Sequence, residues 1–136
     1  MPRRVERTVL EGHAGWVNAV CAVRVEGREL LASAADDHTV RIWDPDSGAL
    51  QRVLQGHTRW VSAVCAVRVE GRELLASAAN DATVRIWDPD SGAAQRVLQG
   101  ATGVVLAVCA VRVEGRELLA SAATDHTVRI LSLIHI

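Results

Sequence analysis

The side chains of this sequence that could do chemistry come in copies. His13, Ser33 and Asp37 recur as His57, Ser77 and Asp81, each set displaced by 44 residues. Met cold, a serine, a histidine and an aspartate evoke a nucleophile with its base and orienting acid. A nucleophile works at one open pocket, however, and a set repeated along a chain argues for a structural part. Cys21, Cys65 and Cys109 share the same period, each between Ala-Val pairs. No base or second ligand recurs beside them, so they read as small apolar residues rather than as catalytic or metal-binding thiols. Asp44-Pro45-Asp46-Ser47-Gly48 has the Asp-x-Asp-x-Gly look of a calcium loop. It lacks the downstream bidentate carboxylate such a loop needs, and a plain turn accounts for it. No metal and no cofactor are expected.

The elements that must position these residues follow from the period. Between 10–53 and 54–97 only 7 of 44 positions differ, and a 13-residue run recurs from Val23, Val67 and Val111. Such a period marks stacked copies of one supersecondary unit. Residues 16–25 form a Val-rich run with small Ala and Cys, the pattern of a strand buried on both faces. Glu26-Gly27 predicts a tight hairpin, 28–35 a second strand, 36–38 a turn, and Thr39 to Trp43 a third strand. After the 44–48 turn comes a fourth strand, and the cycle restarts at Gly56. No helical period occurs. The chain is therefore all-β, built of three four-stranded antiparallel meanders, as one segment over 1–136 with units 10–53, 54–97 and 98–130. Residues 5–10 match 49–54 and 93–98, so they read as a strand belonging to a neighbouring unit.

Composition narrows the function. Of 136 residues, 49% are apolar, and mean hydropathy is +0.14, enough to build a core. A net charge of −1 argues against sequence-independent nucleic-acid binding, which needs a basic surface. No run is long enough to span a membrane, and residues 1–10 lack a signal-peptide core. The three cysteines fit a reducing, cytoplasmic setting.

Gly12-His13 to Trp43-Asp44 and Gly56-His57 to Trp87-Asp88 together resemble the WD-repeat β-propeller family. The likeness covers residues 5–130. It implies four-stranded blades around a channel, a non-enzymatic module, and a buried hydrogen-bonded tetrad in each blade. Those tetrads would be His13, Ser33, Asp37 and Trp43, then His57, Ser77, Asp81 and Trp87. In the third copy Ala101, Val104 and Leu131-Ser132 replace the His, the rim Trp and the Trp-Asp pair. Leu131 to Ile136 matches nothing upstream and resembles translated adapter sequence.

Differences between copies cluster where chain turns share one end of each sheet: Ala14, Gly15, Trp16, Asn18, Asp36 and His38 in the first copy. Their counterparts are Thr58, Arg59, Trp60, Ser62, Asn80 and Ala82, then Thr124 and His126 in the third. The resemblance makes this rim the usual face for a protein or peptide partner, with Trp16 and Trp60 as anchors; drift of loosely packed loops gives the same pattern. His38 and His126 read as solvated. A glycan- or small-ligand-binding propeller would want a Trp-lined pocket in every blade. A propeller hydrolase would want non-repeating acidic or His ligands at the channel. Propellers use about four to eight blades, so three form an incomplete ring. Either the chain is a fragment of a larger protein, a bacterial multidomain one by the look of its near-identical repeats, or two copies join head to tail as a homodimer with six blades.

Overall fold

A computed structural model describes residues 8–133. Eleven strands fill it, with no helix among the described residues. The first sheet runs β1 (Val17–Val25), β2 (Arg28–Ala35), β3 (Val40–Trp43) and β4 (Leu50–Leu54) in that spatial order. The second repeats it as β5 (Val61–Val69), β6 (Arg72–Ala79), β7 (Val84–Trp87) and β8 (Ala94–Leu98). The third holds β9 (Val105–Val113), β10 (Arg116–Ala123) and β11 (Val128–Ser132), three strands among the described residues. All pairings are antiparallel between sequence neighbours. The sheets do not close into a ring.

Local chemistry sets the meander. Glu26 and Gly27 both take positive φ, 49° and 78°, the geometry that matches a two-residue turn to the twist of its strands. At the next turn Thr39 lends its carbonyl to the Ala35 amide, and His38 N–H bonds Ala35 O. Asp44 folds its own turn: Oδ1 accepts the amides of Asp46 at 2.9 Å and Ser47 at 3.4 Å. Its Oδ2 is held by Arg28, so this carboxylate serves both the turn's amides and a guanidinium.

The cores lie between sheets. Val23, Leu30, Ala32, Val40, Ile42 and Leu54 on the front of the first sheet meet Val61, Val64, Leu75 and Trp87 on the back of the second. The front of the second, with Val67, Leu74, Ala76, Val84 and Ile86, meets Val105, Val108 and Leu119 of the third. Successive residues of a strand thus serve two different cores, which explains runs such as Leu74-Leu75-Ala76 without polar alternation. β1, β5 and β9 approach one another, so these edges converge, with β4 and β8 outermost.

Burial corrects one expectation. β6 is buried from Leu74 to Ala79, whereas β1, expected to be covered on both faces, is largely exposed. Its back face has no sheet behind it. The cysteines follow the same rule. Cys21 and Cys65 are half-buried against the two cores, but Cys109 is exposed, since among the described residues no sheet covers the front of the third. Residues 5–7 of the expected N-terminal strand and 134–136 of the tail lie outside the described residues. Residues 8–10 carry no strand, and Leu131 and Ser132 extend β11.

Candidate functional site

In each of the first two sheets a polar chain crosses from loop to strand. His13 Nδ1–Asp37 Oδ2 is 2.9 Å, His13 Nε2–Ser33 Oγ is 2.6 Å, and Trp43 Nε1–H donates to Ser33 Oγ at 2.8 Å. The second sheet gives 2.9, 2.7 and 2.8 Å for His57–Asp81, His57–Ser77 and Trp87–Ser77. Each histidine also lies edge-on to its tryptophan, with centroids 6.0 and 6.2 Å apart. Ser33, Ser77 and His57 are buried, so the hydroxyl faces no substrate-sized opening.

The aspartates are the hubs. Asp37 Oδ1 accepts the Thr39 hydroxyl at 2.6 Å and Oδ2 the Ala14 amide at 2.9 Å; Asp81 does the same with Thr83 and Thr58. Burial opposes ionisation of both carboxyls, but the bonds from Thr, His and backbone outweigh it and hold them below the ordinary carboxylate range. For His57, burial dominates over the attraction of Asp81, and its pKa falls, favouring the neutral ring. Thr39, Thr83 and Thr127 were missed by sequence reasoning, although the signal was there: each stands two residues after its Asp in every copy. Gly56, at φ 157°, completes the packing, since a Cβ there would sit 3.0 Å from Arg85 Nη1 and 3.1 Å from the Trp87 ring.

The thiols take no part in this chemistry. Burial, then the nearby Glu73 charge, pushes Cys21 up to about 11; burial, then the neighbouring thiols, pushes Cys65 up to about 12. Both stay protonated at neutral pH, the unreactive form.

The variable turns do meet at one end. Asp36 N–H bonds Trp16 O at 2.8 Å, Asn80 N–H bonds Trp60 O at 2.8 Å, and Thr124 N–H bonds Val104 O at 2.9 Å. Side chains pair across the same gap: Asn18 Nδ2 donates to Asp36 Oδ1 at 2.6 Å, and Ser62 Oγ to Asn80 Oδ1 at 3.0 Å. Asn18 reaches the next sheet too, donating to Val61 O at 3.0 Å. Trp16 is 81% exposed and Trp60 54% exposed, so neither packs between sheets. Ala14, Gly15, His38, Thr58, Arg59, Thr124 and His126 are exposed beside them; Asp36, Ser62, Asn80 and Ala82 are half-buried. His38, Ala82 and His126 share positive φ, 69° to 73°, so this turn is built alike whichever residue fills it.

At the opposite end, clefts of about 310 and 390 Å³ open between successive hairpins. Most of their cations are matched, Arg24 with Glu29, Arg68 with Glu73, Arg72 with Asp88 and Arg112 with Glu117, while Arg116 also lines the second.

The sequence signature of "WD domain, G-beta repeat" matches residues 4–44 and 48–88. The chain belongs to the WD-repeat family. Similar proteins include a Lissencephaly-1 homolog of Heterostelium pallidum, 42% identical over 52 residues, which cover 38% of this chain and 12% of that protein. Pre-mRNA-splicing factor PRP46 of Kluyveromyces lactis is 42% identical over 43 residues, 32% of this chain and 10% of its own length. This WD-repeat chain thus aligns with about a tenth of each of those relatives.

Proposed function

We propose that the chain is a non-catalytic protein-interaction module, and that its partner, a protein or peptide, docks on the rim around Trp16 and Trp60. The observation that carries this reading is the exposure of two tryptophans on neighbouring sheets, at the end where most differences between the copies fall. Trp and Arg supply most binding energy at interfaces, and Arg59 stands next to Trp60. The buried hydroxyls of Ser33 and Ser77, already engaged by His and Trp, fit a staple between loop and strands and leave no free nucleophile. The opposite end has no comparable exposed aromatic.

The test is selection of peptides from a displayed library on the purified chain, followed by titration against Trp16→Ala, Trp60→Ala and Arg59→Ala. Peptides selected by the native rim lose about tenfold or more in affinity on either Trp variant. Unfolding midpoints stay within about 0.5 kcal/mol of the native value, as for exposed positions. Peptides that bind all three variants equally would sink the reading.

A further inference from the structure

The chain carries an unmade joint whose two halves it presents at opposite ends. Val84 and Ile86, on the front of the second sheet, are 3% and 0% exposed; their equivalents on the third sheet, Val128 and Ile130, are 71% and 59% exposed. On the back faces the contrast runs the other way along the chain. Val64 and Val108 are 6% and 9% exposed, whereas Val20 of the first sheet is 60% exposed. The same side chains on the same backbone are covered twice by a neighbouring copy and bare once.

Two further features say what fits. The third sheet ends at β11 with no outer strand among the described residues, while residues 8–10 lie against the first sheet as an outer strand would. A Cβ on Gly48 would meet Thr8 at 3.3 Å and Leu10 at 3.5 Å; on Gly92 it would meet Arg52 at 3.1 Å and Leu54 at 3.6 Å. Thr8 and Leu10 thus stand to the first sheet as Arg52 and Leu54 of β4 stand to the second. They sit where the fourth strand of a sheet behind β1 would lie, and the third sheet shows three strands among the described residues.

The polar clasp of each internal joint is also left half made. Arg24 N–H donates to Glu73 Oε1 of the next sheet at 2.7 Å, and Arg68 N–H to Glu117 Oε1 at 2.6 Å. Glu29 is the third member of the glutamate series. Its Oε2 holds Arg24, as Glu73 and Glu117 hold Arg68 and Arg112, but among the described residues its Oε1 receives no amide. Arg112 N–H is the matching donor, and among the described residues no glutamate meets it.

We propose that the front of the third sheet binds the back of the first sheet of a second copy of this chain, two such joints closing a six-bladed ring. Register carries over from Val40 opposite Leu54 and Ile42 opposite Arg52. It sets Val128 opposite Leu10 of the partner copy and Ile130 opposite Thr8, with Glu29 accepting the Arg112 amide. The joint is heterologous, the front of one copy meeting the back of the other as successive sheets do within the chain.

Light scattering on the purified chain tests it. The expected mass is about twice 14.6 kDa. Val20→Glu and Ile130→Glu each alter one exposed face and leave the chain folded by circular dichroism. Each alone is monomeric, because a Glu then opposes every joint. Mixed in equal amounts they recover a dimer through the one unaltered joint. Glu29→Ala raises the dimer dissociation constant by about tenfold or more, since an amide bond to a charged carboxylate is lost. A monomeric native chain overturns the proposal, as does a mass that climbs past two copies with concentration. A Val20→Glu variant that still dimerises also overturns it, because that result means front-to-front pairing.

Discussion

The second and third sheets share backbone, register and most of their residues, yet one holds a complete tetrad and the other half of one. In the second, His57 links Asp81 to Ser77, and Trp87 closes the chain onto the same hydroxyl. In the third, Ala101 and Leu131 leave the Ser121 hydroxyl without the histidine and indole partners that Ser77 has. Asp125 nevertheless keeps its place, bound by the Thr127 hydroxyl, the Thr102 amide and Arg129. The Thr127 hydroxyl above all, then the Thr102 amide, hold its carboxyl below the ordinary range. The turn is therefore built by the aspartate and threonine alone. Histidine and tryptophan add the tie from that turn to the middle of the sheet, together with its packing. Gly100 records the loss: a Cβ there would find only Arg129, at 4.0 Å, where Gly56 is crowded by Trp87.

The largest break in this comparison is Trp87→Ala. Trp87 is fully buried between two sheets, and its removal costs about 3–5 kcal/mol of unfolding free energy, read from the urea midpoint. Leu131→Ala, at the equivalent but half-exposed position, costs less than half of that. Equal losses would mean that the two sheets are held together in the same way.

His57→Ala comes next, at about 2–3 kcal/mol, because it leaves a buried carboxylate and hydroxyl short of a partner. It also separates the sheets by pH. The folded pKa of His57 lies below its unfolded value of about 6.5. Folding therefore opposes protonation, and stability present above pH 6.5 or so declines as pH falls toward the folded value. Asp81 and Asp125 have depressed pKa values, so what they contribute above about pH 4 is lost only at lower pH, as pH falls through their folded values. Urea midpoints between pH 8 and pH 2 decline at two stages in the native chain. In His57→Ala the upper stage shrinks, and the carboxylate stage remains. An unchanged upper stage would place the titration at another histidine.

The smallest effect sharpens the comparison in reverse. Ala101→His with Leu131→Trp restores a tetrad around Ser121 and Asp125, and raises stability by about 1 kcal/mol more than the two single changes summed. Strict additivity in that cycle would show that the tetrad is a set of independent contacts.

How much of this was legible beforehand depends on the range of the interaction. Strand order and hairpins stood in the sequence because an exact period repeats them, and the tetrad members were what the resemblance to the WD-repeat family implied. Local chemistry fixes each turn as well: glycine at positive φ in Glu26-Gly27, and an aspartate bonding its own loop at Asp44. The threonines went unread although they too repeat, because an invariant residue in a duplicated stretch carries no contrast. The exposure of β1 and Cys109 was out of reach, since the residues of each strand look the same whether or not a sheet covers them.

By itself, then, the sequence determined the meander, because its strands and turns repeat with an exact period, while the members of each buried polar chain were what the family resemblance implied. Only the tertiary structure decided which copies of Val and Ile are buried, that Trp16 and Trp60 face outward, and that Glu73 and Glu117 clasp the preceding sheet while Glu29, among the described residues, holds Arg24 of its own sheet. Burial and inter-sheet bonding belong to the neighbour a residue meets, and identical repeats meet different neighbours according to their place in the stack.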